Sequence, residues 1–333
     1  MTVLALTLGD PAGIGPEIVA RTLASPDLGE RALAVGDART LRRAAEVCGL
    51  DAEIHPISRV DEALFRPGVL DVLDQDVLIA DPTWGKVDAN AGRAAIAAVE
   101  AATRAALRGE VTAVVTAPIH KEAIWAAGSQ HLGHTEMLGE LTGAALAQTM
   151  FLVRGLKIFF TTRHSSLREA LDGVTRDRVE QAIADSWTAL RVLGHEEPRL
   201  AVAALNPHGG EGGTFGTEEI EHIAPACAAA RRDGMPVIGP VPADSVFHQG
   251  LQGRFDAVLS HFHDQGHIAA KTVDFEGAVT VTMGLPIIRT SVDHGTAFDI
   301  AGTGAASHRG MLAATRAAAA LTPYAARVRE AYG

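Results

Sequence analysis

Short apolar runs rich in β-branched residues alternate along the 333-residue chain with longer, Ala-rich stretches whose apolar positions recur at helical spacing. The runs Val3–Leu8, Ala32–Val35, Val77–Ala80, Val111–Thr116, Lys157–Thr161, Leu200–Leu205, Phe255–Ser260 and Val279–Met283 predict strands. Most are continuous rather than alternating, as in strands of a parallel sheet covered on both faces. Between them, Asn90–Arg108 predicts a helix, with Asn90 as N-cap, Ile96, Val99 and Leu107 on one stripe, and Gly109 just past the end. Thr175–Leu193 predicts another, with Val179, Ile183, Leu190 and Leu193 at helical spacing and Gly194 as the stop. Strands alternating with helices of this length specify an α/β fold with a largely parallel sheet. The length suggests two domains or two lobes, at roughly 150 residues per domain.

Composition narrows the chemistry. Hydrophobic residues make up 47% and charged residues 21%, inside the globular range. A net charge of −11 repels phosphate backbones and anionic lipid, so neither nucleic acid nor a membrane surface is an expected partner. No apolar run approaches the roughly 18 residues of a membrane span. The opening Met1-Thr-Val-Leu-Ala-Leu-Thr-Leu-Gly-Asp10 lacks the basic start of a secretory leader. Cys48 and Cys227 stand far apart, which excludes a disulfide scaffold, a zinc ribbon and a thioredoxin motif and points to a reducing, cytoplasmic setting. The unusual number is 14 His, against 3 Trp and 2 Tyr.

In open α/β sheets ligands bind beyond the carboxyl ends of the strands, and that is where the polar motifs fall. Gly9-Asp10-Pro11-Ala12-Gly13-Ile14-Gly15-Pro16-Glu17 follows the first run; it fails the dinucleotide pattern, since Ile18 stands where glycine or alanine is needed, and Pro16 suits a first helical turn. No GxxxxGK[ST] phosphate loop occurs. His164, His208 and His263 follow three different apolar runs. Three neutral nitrogen donors with open positions suit a catalytic divalent ion such as Zn²⁺, Co²⁺, Mn²⁺ or Ni²⁺. Asp264 is placed either to orient a ligand histidine or to cap a helix over Gln265–Ala270. Gly209-Gly210-Glu211-Gly212-Gly213 is either a loop that lets backbone approach a ligand or a flexible surface turn. His134 and Thr135, after Gly133, either donate to an anion at a helix N-terminus or cap that helix. Lys121, Lys271 and Arg289 are the cationic candidates; Arg289, ending the run Pro286-Ile287-Ile288, is best placed to fix a carboxylate or phosphate. Asp293-His294-Gly295-Thr296-Ala297-Phe298-Asp299-Ile300-Ala301-Gly302-Thr303-Gly304 reads as a cofactor loop.

Together these segments resemble the 4-hydroxythreonine-4-phosphate dehydrogenase family of pyridoxine biosynthesis. The resemblance is carried by Leu6-Thr-Leu-Gly-Asp-Pro-Ala-Gly-Ile-Gly-Pro-Glu17, Thr116-Ala-Pro-Ile-His-Lys121, Gly133-His-Thr-Glu136, Asn206-Pro-His-Gly-Gly-Glu-Gly-Gly213, Pro242-Ala-Asp244, His263-Asp-Gln-Gly266 and Gly284-Leu-Pro-Ile-Ile-Arg-Thr-Ser-Val-Asp-His-Gly-Thr296. The loop from Asp293 is also similar to the nucleotide loop of isocitrate and isopropylmalate dehydrogenases, which implies their two-lobed α/β/α fold. The lobes would be 1–125 with 285–333, carrying the termini and the cofactor loop, and 126–284, carrying the metal ligands and dimer contacts.

The resemblance implies His164, His208 and His263 as ligands of a divalent metal (Zn, Co, Mn, Mg or Ni) at the interface of a homodimer, with ligands from both subunits. It implies His134, Thr135, Lys271, Thr280 and Arg289 at the substrate, and His294, Gly295, Thr296, Asp299 and Gly302 at NAD or NADP, with Asp299 as a ribose-hydroxyl acceptor favouring NAD. Lys271 and Asp264 are the candidates for general base. The implied reaction oxidises 4-hydroxythreonine 4-phosphate to a β-keto acid that loses CO₂ to give 3-amino-2-oxopropyl phosphate. One position departs: the family usually has Asn nine residues before the Arg, and here Thr280 stands there. Threonate or erythronate 4-phosphate or an aromatic cis-diol acid is the alternative substrate, and a non-catalytic metabolite-binding protein the alternative class.

Overall fold

The computed structural model describes residues 2–144 and 148–333. The chain folds into two compact units, Met1–Ala147 with Val279–Gly333, and Gln148–Ala278. The first unit opens with β1 (Leu4–Thr7), α1 (Gly15–Leu23), β2 (Ala32–Gly36), α2 (Ala38–Val47), β3 (Glu53–Ile57), β4 (Val69–Asp74), α3 (Ala89–Leu107), β5 (Ala113–Thr116), α4 (Lys121–Ala126) and α5 (His134–Thr142). The second unit runs β6 (Gln148–Val153), β7 (Leu156–Phe160), α6 (Leu167–Asp172), α7 (Arg176–Val192), β8 (Leu200–Ala203), α8 (Ala224–Arg232), β9 (Ile238–Val241), α9 (Ala243–Leu251), β10 (Ala257–Ser260) and α10 (His263–Val273). The chain then returns to the first unit with β11 (Val279–Met283), β12 (Ile288–Ser291), α11 (Arg309–Leu321) and α12 (Ala325–Tyr332).

In the first unit the strand order is β3-β4-β2-β1-β5-β12-β11, parallel except for β11 against β12. In the second it is β6-β7-β10-β8-β9, parallel except for β6 against β7. The largely parallel α/β class expected from the apolar runs is therefore present in both. β1, β5, β8 and β10 are buried at every position, which is why their sequences do not alternate.

The strand expected at Val77–Ala80 does not form; Val77 and Ile79 are exposed, Ile79 at 80%. The strand in that region is β4, whose two aspartates disguise it. Asp71 is buried because its carboxylate accepts from Leu64 N at 3.1 Å and Phe65 N at 2.8 Å and meets His55 Nδ1 at 2.7 Å. The N-cap of α3 is Asp88, not Asn90; Asp88 accepts from Asn90 N at 2.6 Å and Ala91 N at 3.1 Å, while the Asn90 side chain reaches Ala80 O. Thr175 caps α7 as its position suggests.

Residues 126–144, placed by sequence in the second lobe, pack in the first unit. Met137 and Leu138 of α5 bury beside Val99 and Ala102 of α3, and β11 pairs with β12 of the same unit. The second unit has its own core around Phe151, Ile158, Phe160, Val246 and Val258.

Candidate active site

In the second unit β7, β10 and β8 lie side by side and parallel, so all three deliver their carboxyl ends to one edge of the sheet. His164 follows β7, His263 is the first residue of α10 directly beyond β10, and His208 lies beyond β8. The rings of His164 and His263 stand with centroids 6.5 Å apart. Two imidazoles sharing one tetrahedral ion would stand about 5 Å apart, from metal–nitrogen bonds of about 2 Å. Among the described residues no three His, Cys, Asp or Glu side chains form a closed metal-binding group.

His208 begins a run of left-handed backbone that continues through Gly209, Gly210, Glu211 and Gly212, with φ between 42° and 77°. Glycine takes this conformation freely, whereas His208 and Glu211 cost about 1 kcal/mol or more each. Such strain persists only where its surroundings over-determine it. Here Glu219, only 4% exposed, accepts from Leu205 N and Asn206 N, both at 2.7 Å, and from Asn206 Nδ2 at 2.8 Å. Burial pushes the Glu219 carboxyl upward in pKa, but these donors outweigh it and hold it below the ordinary value.

His261 is fully buried two residues before His263. Its Nε2 lies 2.7 Å from Ala203 O and its Nδ1 3.2 Å from Thr161 Oγ1. Burial pushes its pKa down to about 4, so the ring is neutral, donating from Nε2 to the carbonyl and accepting at Nδ1 from the hydroxyl. His261 N donates to Gln265 Oε1 at 2.7 Å, and Gln265 Nε2 donates to Ala204 O at 2.8 Å.

The helix expected over Gln265–Ala270 exists but starts earlier, at His263, with Phe262 as N-cap. Asp264 therefore does not cap it; its Oδ1 meets His263 Nδ1 at 2.7 Å, the contact that fixes a histidine tautomer and leaves Nε2 as the donor to a metal. His267 stacks on His263 with centroids 3.7 Å apart. Lys271 Nζ lies 5.3 Å from the Phe275 ring centroid, and a cavity of about 330 Å³ is lined by His263, His267, Ile268, Lys271 and Phe275, among others.

In the first unit Arg289 on β12 is 4% exposed. Its Nε and Nη2 donate to Thr116 Oγ1 at 3.1 and 2.6 Å, and its Nη1 to Thr282 Oγ1 at 2.9 Å. These two hydroxyls aim the guanidinium. His134 opens α5, with Thr135 next. Burial, and after it the charge of Arg289, hold His134 well below the ordinary histidine pKa. Its Nε2 is buried with no hydrogen-bond partner, a position that a ligand oxygen or hydroxyl would satisfy. Thr280 lies half-buried on β11, opposite Ser291.

The loop from Asp293 to Gly304 is bolted to the turn after β1. Ile14 N donates to Thr296 O at 3.0 Å, and a Cβ on Gly13 would come within 2.9 Å of Thr296 Cβ. Glu17, with no exposed surface, accepts from Gly302 N at 2.6 Å and Gly304 N at 2.9 Å. Gly302 is thus engaged by Glu17 and packed on Trp84, while His294, Gly295 and Asp299 are exposed to differing degrees and Thr296 is buried. His120 stacks on Phe298 at 4.5 Å. His120 Nδ1 and Asp10 Oδ2 are both buried without a partner. Burial raises the Asp10 carboxyl to about 6, against the opposing effects of Ala12 N–H and His120.

The structure thus joins His164 and His263 with Asp264 and Lys271 in one unit, and His134 with Arg289 in the other. Sequence reading missed Asp10, Glu17, His120, Glu219, His261 and His267. Glu17 carried one signal, an acid directly after the Gly/Pro turn; His261 carried another, a histidine inside an apolar run.

A family model described as pyridoxal phosphate biosynthetic protein PdxA matches residues 29–318. A relative from Cutibacterium acnes, named "Putative D-threonate 4-phosphate dehydrogenase", is 52% identical over 99% of this chain and 96% of its own. One of the same name from Symbiobacterium thermophilum is 51% identical over 92% of each. The crystal structure of 4-hydroxythreonine-4-phosphate dehydrogenase from Klebsiella pneumoniae superposes with a TM-score of 0.89 at 43% identity, covering 97% of this chain and all of that one.

Proposed function

Because the chain belongs to the pyridoxal phosphate biosynthetic protein PdxA family, we propose that it is a nicotinamide-nucleotide-dependent dehydrogenase of a 4-phosphorylated hydroxy acid, D-threonate 4-phosphate foremost. The observation that carries the substrate choice is Thr280, nine positions before Arg289 where the resembled family has Asn. At carbon 2 threonate carries a hydroxyl, donor and acceptor both, where hydroxythreonine carries a donor-only ammonium. A Thr hydroxyl matches the former without the amide's dedicated acceptor. The names of the two relatives above half identity support the same choice. The Klebsiella structure's name favours 4-hydroxythreonine 4-phosphate as the second reading.

His164, His208 and His263, contributed by both subunits of the homodimer, would hold a divalent ion. The fit rests on donor type, on three adjacent parallel strands delivering them to one edge, and on Asp264 fixing the His263 tautomer. When bound, the ion supplies Lewis acidity at the alcohol and at the enolate, and the nicotinamide accepts a hydride. Arg289 binds the substrate's anionic end with its guanidinium, and His134 Nε2 and the Thr135 hydroxyl orient it. Lys271 Nζ takes the proton of the carbon-3 hydroxyl as that carbon gives up hydride; Asp264, engaged with His263, is the weaker candidate. The 3-keto acid then breaks its C1–C2 bond, releases CO₂ and is protonated at carbon 2, leaving dihydroxyacetone phosphate. Asp299, on the nucleotide loop, would accept from a ribose hydroxyl and repel a 2′-phosphate, which favours NAD over NADP. The homodimer is taken as the catalytic unit.

The test is NADH formation in the presence of Co²⁺ or Zn²⁺ with D-threonate, D-erythronate and 4-hydroxythreonine 4-phosphates and a cis-diol acid, with CO₂ release followed in parallel. Highest kcat/KM on D-threonate 4-phosphate is expected. Turnover only on the cis-diol acid would overturn the substrate, and binding without turnover of any would overturn the enzyme assignment.

A further inference from the structure

We propose that a cavity of the first unit, between α3 and the crossover from β3 to β4, is a binding site for a small amphipathic carboxylate: its apolar body enters the cavity and its carboxylate meets the arginines at the mouth. None of the residues proposed for metal, substrate or nucleotide lines this cavity.

β3 and β4 are parallel neighbours, so the chain between them must cross back from one edge of the sheet to the other. An α-helix usually makes that crossing and covers the sheet. Here residues 58–68 make it with a single 3₁₀ turn, Val60–Glu62, and leave a cavity of about 1040 Å³ beside α3. Its apolar wall comes from Val60, Leu64 and Phe65 of the crossover, Leu73 of β4 and Ala101 of α3. The crossover is pinned twice. Glu62 accepts from Ser58 N at 2.8 Å and Arg59 N at 3.2 Å, and the buried Asp71 carboxylate accepts from Leu64 N and Phe65 N. Phe65 is thereby kept at φ 48°, a left-handed conformation that an aromatic residue rarely adopts. Such strain persists only where its surroundings over-determine it, and it collects at ligand clamps.

The mouth is cationic. Arg31, Arg59, Arg104 and Arg108 line the cavity against two acids, Asp61 and Glu110, in a chain whose net charge is −11. Arg31 stands over the Phe65 ring at 5.8 Å, and Arg104 pairs at 2.8 Å with Glu100, outside the lining. Arg59 and Arg108 each already grip a carboxylate with Nε and Nη2: Arg59 that of Asp61, and Arg108 that of Glu110 at 2.7 and 2.8 Å. All four groups are exposed, and exposed pairs hold weakly, so a ligand carboxylate can replace either acid on the same fork. The acids also set the class. Asp61 and Glu110 are near enough for the charge of one to act on the other, so a phosphate monoester, with nearly two negative charges, is repelled more than a carboxylate with one. An apolar wall with a few polar groups at its rim, at this volume, is the form of a small-molecule site.

The experiment is calorimetric titration of the full-length protein with octanoate, octyl phosphate, octanol and acetate, with melting of each variant as the check on folding. Octanoate is expected to bind at one site per chain, about 10-fold or more tighter than the other three. Arg108→Gln should weaken octanoate about 10-fold and leave octanol unchanged. Ala101→Phe, which fills the cavity, should abolish both. Where it fails to fold, Leu64→Glu places a negative charge at a rim position that is 37% exposed and should weaken octanoate about 10-fold with unchanged melting. Octyl phosphate binding more tightly than octanoate would overturn the ligand class. No octanoate binding up to about 1 mM, or binding that none of these variants changes, would overturn the site.

Discussion

Replacing Glu17 by Gln isolates what fastens the loop from Asp293 to Gly304, the proposed nucleotide site. In the wild type one carboxylate accepts from Gly302 N and Gly304 N, both within 2.9 Å. A carboxamide can accept from one of these and must turn its NH₂ toward the other, so one charge-assisted bond, about 1.5–3 kcal/mol, is lost and a buried amide is left facing a donor. About 2 kcal/mol shifts the loop's order–disorder balance roughly 30-fold. Because apparent affinity falls by the fraction of protein with the loop in place, the Kd for the nucleotide rises by up to about 30-fold. The chain stays folded, since the loss is small against a typical 5–15 kcal/mol; Glu17→Ala forfeits both bonds and is the poorer probe. The assay is NADH binding by fluorescence and the KM for NAD at saturating acid, with Co²⁺ affinity as the control that stays unchanged. If melting falls while the nucleotide Kd and KM hold at wild-type values, Glu17 serves the fold alone and the reasoning is refuted.

Arg289→Lys keeps the charge but loses the fork that Thr116 and Thr282 hold; kcat/KM for the phosphorylated acid should fall about 10- to 100-fold, and an unchanged value in steady-state kinetics would exclude Arg289 from the substrate. Thr280→Asn should move the kcat/KM ratio of D-threonate to 4-hydroxythreonine 4-phosphate toward the latter; competition between the two acids measures it, and no movement removes Thr280 from selectivity. Asp10 ionises near 6 in the folded chain against about 4 unfolded. The folded state therefore binds more protons between those values, and stability falls by about 3 kcal/mol as pH rises from 4 through 6. Asp10→Asn, which keeps the acceptor for Ala12 N, should lack that fall; parallel melting-versus-pH curves for the two proteins would sink the assignment.

What could be read from the sequence follows from what each residue type advertises. β1, β5, β8 and β10 were legible because burial on both faces writes continuous apolar runs. β3, with Pro56 and a half-exposed face, and β4, with Asp71 paid for by local donors, carry no such signature. β12 hid behind Arg289 and its polar neighbours Thr290 and Ser291, all buried. At the site, His164, His208 and His263 stood out because each follows a strand. Glu219 and His261, which bond backbone at the end of β8 and just beyond it, look like a helix-face acid and a core histidine, and their contacts reach across 13 to 100 residues of chain. Motif spacing does not record contacts made at such long range along the chain.

The first unit is discontinuous in sequence, and that orders its birth on the ribosome. β12 lies between β5 and β11 in its sheet, yet Ser291 follows its partner Thr116 by 175 residues. The whole second unit is synthesised in the interval, at roughly 5–20 residues per second, or on the order of ten to thirty seconds. During that time β5, with Val114 and Val115, presents an open edge of the kind that recruits foreign strands. The nascent chain therefore carries that open edge for as long as its second unit takes to be made.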